Sequence, residues 1–201
     1  GTMARRPELE QFAAEHGLSL GTIADLIDYR LRNEKSVEKI AQCKLPTDYG
    51  LFELKAYQNS LDKQIHLAMV FGDIQTDTPV LVRVHMEDVF TDVIGARYED
   101  CGWPLTDAMQ RIAAEGSGVI VILRQAEESR ELIRRIMNYQ LCDTGVTLPR
   151  PPASHELRSY GVGAQILLDI GVRKMRVLGS PIKLHGLSGF GLEIEEYVSY
   201  K

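Results

Sequence analysis

Two neighbouring stretches hold the residues best suited to chemistry, Arg83-Val-His-Met-Glu-Asp88 and Arg97-Tyr-Glu-Asp-Cys-Gly-Trp-Pro-Leu105. Successive side chains of a strand point to opposite faces, so a strand through the first stretch sets Arg83, His85 and Glu87 on one face. A guanidinium, an imidazole and a carboxylate side by side can hold an anion or move a proton. Three polar groups on one face are unusual for a buried strand. On periodicity alone the pattern describes a solvent-facing edge carrying a charge pair, which is the expectation from the residues. The cysteines Cys43, Cys101 and Cys142 lie far apart with no paired spacing. They write neither a disulfide framework nor an intact zinc motif.

The elements that must position these groups are legible in the apolar pattern. Gly1-Thr2-Met3 reads as an expression scar. Pro7-Glu8-Leu9 opens a short helix that Gly17 stops, and Thr22 to Asp25 opens a second in the manner of a capping box. The charged run 28–38 reads as a connector. This opening segment is too small to hold a core of its own. From Val37 the period changes to two. A hairpin is expected over 41–57 around the turn Pro46-Thr-Asp-Tyr-Gly50, with strands at 65–71, 80–84 and 118–123. Helices follow at 105–114, at 129–141 with Leu132, Ile133, Ile136 and Met137 on one face, and at 157–170, separated by a proline-rich loop at 149–153. Strands at 175–178 and 192–198 complete a mixed α/β sandwich preceded by a short helical linker.

Composition narrows the partners. The 201 residues carry 23 Lys+Arg against 28 Asp+Glu, a net charge of −5. No basic excess exists to coat nucleic acid or an anionic membrane, so neither is expected as a partner. The longest apolar run, Gly118 to Leu123, is far short of the roughly 20 residues a membrane helix needs. With no apolar signal region at the N-terminus, a soluble cytoplasmic protein is expected.

The ordered residue blocks carry a further signal. KLPTDYG at 44–50, GDI at 72–74, PVLVRVH at 79–85, DCGWPL at 100–105, RIAAEGSGVIVILRQ at 111–125 and ELRSYGVGAQILLDIGVRKMRVL at 156–178 are collinear. In them the chain resembles GTP cyclohydrolase II, the enzyme that opens the guanine ring of GTP in riboflavin biosynthesis, from about Ser36 onward. Residues 4–35 resemble the tail and linker of fusion proteins in which a dihydroxybutanone-phosphate synthase domain precedes this one, and 36–201 is then the cyclohydrolase-like domain. The resemblance implies the sandwich fold of that family, a homodimer, the synthase domain as a partner, and zinc and magnesium as the family's cofactors. It also implies Arg83, His85, Glu87 and Lys183 as nucleotide-binding residues. Glu156-Leu-Arg158 matches the family's D-x-R pair, proton acceptor and nucleophile at the α-phosphate, with Glu156 one methylene longer than the family's aspartate.

The same comparison exposes losses. The family's zinc is held by three cysteines, one in R-V-H-S-E-C and two in R-C-D-C-G. Here these positions are Asp88, Glu99 and Cys101. A catalytic zinc takes three protein ligands and keeps one position for the water whose pKa it lowers. One thiolate with two carboxylates is a harder and weaker set for that ion, so no metal cofactor is expected. The family's R-Q-E-G-R-N, whose arginine meets the phosphates, reads Arg124-Gln-Ala-Glu-Glu-Ser129. A like charge misplaced at 4 Å costs up to about 4 kcal/mol at an effective dielectric near 20. Glu127 and Glu128 suit a helix start better than an anion. The glutamine of C-G-x-Q-L becomes Pro104, and the T-N-N-P-K-K loop shrinks to Gly179-Ser-Pro-Ile-Lys183. For Trp103 the sequence leaves both a base-stacking and a core role open, with the core favoured. The leading expectation is a domain that no longer opens GTP and holds or regulates the synthase. Two others stay open: a working hydrolase built on Asp88, Glu99 and Cys101, and a nucleotide sensor using Arg83, Arg158 and Lys183.

Overall fold

The computed structural model describes residues 3–21, 29, 34–97, 102–124, 129–144, 156–181 and 191–200. The chain divides into two compact units, Gly1–Lys35 and Ser36–Lys201. In the first, α1 (Arg6–His16) carries Pro7 in its opening turn, where the missing N–H costs nothing. The Glu8 carboxylate accepts from the Arg5 N–H at 2.7 Å, and Gly17 closes the helix at φ 62°. The second helix expected from Thr22, and the proline-rich loop at 149–153, lie outside the described residues.

The second unit is built on seven strands: β1 (Val37–Thr47), β2 (Gly50–Asn59), β3 (Ile65–Phe71), β4 (Val80–Met86), β5 (Gly118–Leu123), β6 (Lys174–Leu178) and β7 (Glu193–Val198). Its helices are α2 (Leu105–Glu115), α3 (Ser129–Asp143) and α4 (Glu156–Ile170), with a five-residue π turn at Val89–Val93. The strands form one sheet in the order β1-β2-β3-β5-β4-β6-β7. The pairs from β1 to β5 are antiparallel, and those joining β5, β4, β6 and β7 are parallel. The hairpin turn is tighter than the sequence suggested. Thr47 pairs with Gly50, leaving only Asp48 and Tyr49 in the loop, and Pro46 sits within β1 at the sheet edge, where its missing donor is tolerated.

Alternation through β4 and β5 separates two cores. Val82, Val119, Val121 and Leu123 pack with Val162, Ala164, Ile166 and Leu167 of α4. Leu81, Ile120 and Met69 pack with Ala108, Met109 and Ile112 of α2. A strand covered on both faces needs no polar alternation, which is why β5 reads as the unbroken GVIVIL. The result is the mixed α/β sandwich that the pattern predicted. Gly118 leaves no room for a Cβ, since one built there would lie 2.7 Å from the Leu81 carbonyl oxygen of β4 and 2.9 Å from Ile112 Cγ2 of α2.

One expectation changes. β4 is not a solvent-facing edge: it lies between β5 and β6, with His85 buried and Arg83 half-buried. Its parallel neighbours supply the ladder that periodicity cannot see. The apolar stripe of α3 is largely exposed. Ile133, Ile136 and Met137 are each more than half exposed. Among the described residues no helix is long and apolar enough to cross a membrane.

Candidate functional site

In open parallel sheets, ligands collect beyond the carboxyl ends of the strands. That is where β4 delivers its polar run. Arg83 and His85 share one face, in register with Ile120 and Ile122 of β5, and Glu87 follows just past the strand end.

Arg83 is a fastener. Its Nη1 donates to the Leu178 carbonyl and its Nη2 to the Trp103 carbonyl, both at 3.0 Å. These bonds join β4 to the end of β6 and to the loop before α2. Trp103 is only 9% exposed and belongs to the core on the α2 side. Its Nε1 donates to the Val198 carbonyl at 2.8 Å, and its ring meets Tyr200 edge-on with centroids 5.1 Å apart. The Tyr200 hydroxyl donates to Asp107, which holds that phenol above its ordinary value. A tryptophan so tied at both ring and carbonyl is a structural anchor.

His85 is 4% exposed, and its Nε2 lies 2.9 Å from each carboxylate oxygen of Asp92. An ionised Asp92 only accepts, so this contact assigns the proton to Nε2. Nδ1 is buried and has no hydrogen-bond partner among the described residues. Asp92 also accepts the Asp88 N–H at 2.9 Å.

Asp88 starts the Val89–Val93 turn. One oxygen accepts the Phe90 N–H at 2.8 Å and the Thr91 N–H at 3.2 Å, and the other pairs with Arg135 of α3. The Arg135 guanidinium also lies over the Phe90 ring, 4.7 Å from its centroid. A zinc ligand needs its lone pairs directed at the metal. Here both oxygens of Asp88 are occupied by N–H donors, and this carboxylate does not fit that role. Among the described residues no three His, Cys, Asp or Glu side chains converge as metal donors.

Arg124 is likewise paired. Its Nε donates to Glu87 at 3.0 Å, and its backbone N–H donates to His66 Nδ1 at 3.2 Å. His66 is buried, and burial pushes its pKa below the ordinary 6.5, because the charged ring cannot be solvated there.

The structure thus brings Arg83, His85, Glu87 and Asp88 to one end of β4. Glu99, Cys101, Gln125 to Glu128 and Lys183 lie outside the described residues, as do the side chains of Glu156 and Arg158 on the first turn of α4. The sequence reading missed Asp92, Arg135 and His66. Asp92 follows Asp88 by four residues, one helical turn, a spacing that hints at a shared turn. Arg135, forty-seven residues from Asp88, and His66, fifty-eight from Arg124, had no local signal.

The family model for GTP cyclohydrolase II matches residues 38–199. The 3,4-dihydroxy-2-butanone 4-phosphate synthase of Pseudomonas syringae pv. tomato is 44% identical over 207 residues, covering 100% of this chain and 54% of that protein. The riboflavin biosynthesis protein RibBA of Bacillus subtilis is 44% identical over 204 residues, covering 98% of this chain and 51% of its own length. The crystal structure of RibBX, a two-domain 3,4-dihydroxy-2-butanone 4-phosphate synthase from A. baumannii, superposes with a TM-score of 0.68 at 38% identity. It covers 98% of this chain, which spans 51% of that structure. The chain therefore spans about half the length of the relatives it matches.

Proposed function

The chain belongs to the GTP cyclohydrolase II family, and we propose that it is a member that no longer opens GTP and serves as the structural or regulatory partner of a dihydroxybutanone-phosphate synthase domain in riboflavin biosynthesis. The observation that carries this reading is the state of Asp88. It stands where the resemblance puts the first zinc cysteine, and its carboxylate is bound to the Phe90 and Thr91 N–H groups and to Arg135. An internal ion pair thus takes the place of a metal bond.

Two further contacts support it. Arg83 is turned to the carbonyls of Leu178 and Trp103, and Arg124 is paired with Glu87. A guanidinium already neutralised by a carboxylate attracts a triphosphate far less than a bare one. The synthase partner is supported by the names of the relatives, three of which are called 3,4-dihydroxy-2-butanone 4-phosphate synthase while sharing 42–46% identity with this chain. A retained sandwich with an altered site suits a body kept for contact rather than for chemistry.

Metal analysis after gentle purification, combined with an assay for formate released from GTP, tests the first half of the proposal. The expected result is sub-stoichiometric zinc and no formate; firmly seated zinc with GTP being consumed would overturn it. Synthase activity, stability and assembly of the two-domain protein with and without residues 36–201 test the second half. Unchanged values on deletion would remove the partner role.

A further inference from the structure

The three helices of the second unit are not held alike. α2 gives Ala108, Met109 and Ile112 to one core, and α4 gives Val162, Ala164, Ile166 and Leu167 to the other. Neither core takes a residue of α3, and none of its described side chains is buried. Burial of an apolar face is what ordinarily secures a helix of this length, since 15 residues alone are marginal in water. α3 instead has contacts to the turn that follows β4. Arg135 pairs with Asp88 and lies over the Phe90 ring, and Tyr139 meets that ring edge-on at 5.4 Å. Arg135 and Tyr139 stand four residues apart, so both act from one side of the helix. The turn they grip is itself fixed to the sheet, because Asp92 accepts the Asp88 N–H and meets His85 of β4.

We propose that α3 is a strap that opens and closes as a unit across this turn, with the Asp88–Arg135 pair as its catch. Such a unit lifts at a free energy well below that of global unfolding, because no core is broken when it moves. Closed, the pair neutralises the Asp88 carboxylate and the Arg135 guanidinium. Opening bares both charges beside the end of β4, and the strap thereby decides whether that end of the sheet offers a free carboxylate. The catch responds to ionic strength, since both side chains are about one-quarter exposed and dissolved ions screen such a pair. The contact between the Phe90 and Tyr139 rings does not share that response.

Hydrogen–deuterium exchange of the 201-residue chain, read on peptides covering α3 and β5, tests the strap. In the wild type α3 is expected to exchange at least about a hundredfold faster than β5. Dilute urea is expected to speed β5 and leave α3 nearly unchanged, since lifting the strap exposes little surface. Raising salt from about 0.05 to about 0.5 M is expected to speed α3 roughly twofold. Arg135→Met is expected to speed α3 about fivefold at low salt and to remove most of the salt effect. Ile166→Val, which loosens the core beneath α4, is expected to speed β5 about fivefold without changing α3, because the closed and open straps lose that packing equally. Three results would each overturn the inference: α3 exchanging in step with β5, Arg135→Met keeping the wild-type rate and salt response, or Ile166→Val accelerating both elements alike. Neither formate release nor synthase activity enters these readings, so this proposal and the functional one fail separately.

Discussion

Replacing Asp88 with alanine removes two kinds of contact at once. The side chain caps the Val89–Val93 turn through the N–H groups of Phe90 and Thr91, and a lost cap of this sort costs about 1 kcal/mol. It also pairs with Arg135, with both side chains about one-quarter exposed, and a partly screened pair contributes about 1 kcal/mol. The expected loss is therefore about 2 kcal/mol, which for a chain of this length lowers the melting temperature by roughly 4–8 °C. Asp88→Asn keeps an acceptor for the cap and loses only the charge, so its expected cost is about half. Arg135→Met removes the other partner together with its stacking on Phe90, and a double-mutant cycle with Asp88→Ala isolates the pair. A coupling of about 0.5–1 kcal/mol by urea unfolding is expected. Prolonged chelation leaves the unfolding curve of the wild type where it was, because the bond from this carboxylate runs to Arg135. Two results would refute the reasoning: an Asp88→Ala cost under about 0.5 kcal/mol, or a wild type that chelation destabilises while Asp88→Ala is indifferent to it.

Burial holds the His66 pKa below 6.5, so just below that pH the unfolded chain binds more protons than the folded one. Stability is then full above about pH 6.5 and falls as the pH drops through the depressed value; His66→Asn should flatten that slope, and an NMR titration placing His66 above 6.5 would contradict it. Trp103 is the single tryptophan, and Arg83→Gln removes a donor from its carbonyl, so the emission of the variant is expected to shift toward that of free tryptophan. An unshifted spectrum would mean that Arg83 does not hold this loop. Gly72 has φ +65°, and a Cβ there would lie 2.2 Å from the Gly116 carbonyl oxygen, so Gly72→Ala is expected to cost more than about 2 kcal/mol in urea unfolding.

The family was legible in the sequence because ordered residue blocks persist where the fold needs them. The elements were legible because burial imposes a period. β5 was found at its true bounds since a strand covered on both faces is an unbroken apolar run with glycine at its start. α2 was found within one residue, Gly116 closing it in the left-handed region as a C-terminal glycine does. The same reasoning failed for β4. Polar residues on alternate positions meant an exposed edge by pattern, but the guanidinium of Arg83 finds backbone carbonyls at the end of β6 and before α2, and the His85 ring finds Asp92 in the turn after β4. Period cannot distinguish a polar group facing water from one facing a buried partner.

What the amino-acid sequence determined by itself was therefore the sandwich, the order of its elements and the chemical identity of the altered positions, Asp88 among them. Tertiary structure decided what those positions do. Arg135 reaches Asp88 across forty-seven residues, and His66 receives the Arg124 N–H across fifty-eight. Local patterns record covalent neighbours and the face they share. A carboxylate becomes a cap and an ion-pair partner only when the folded sheet brings a distant guanidinium within reach, because an electrostatic contact depends on separation in space and not along the chain.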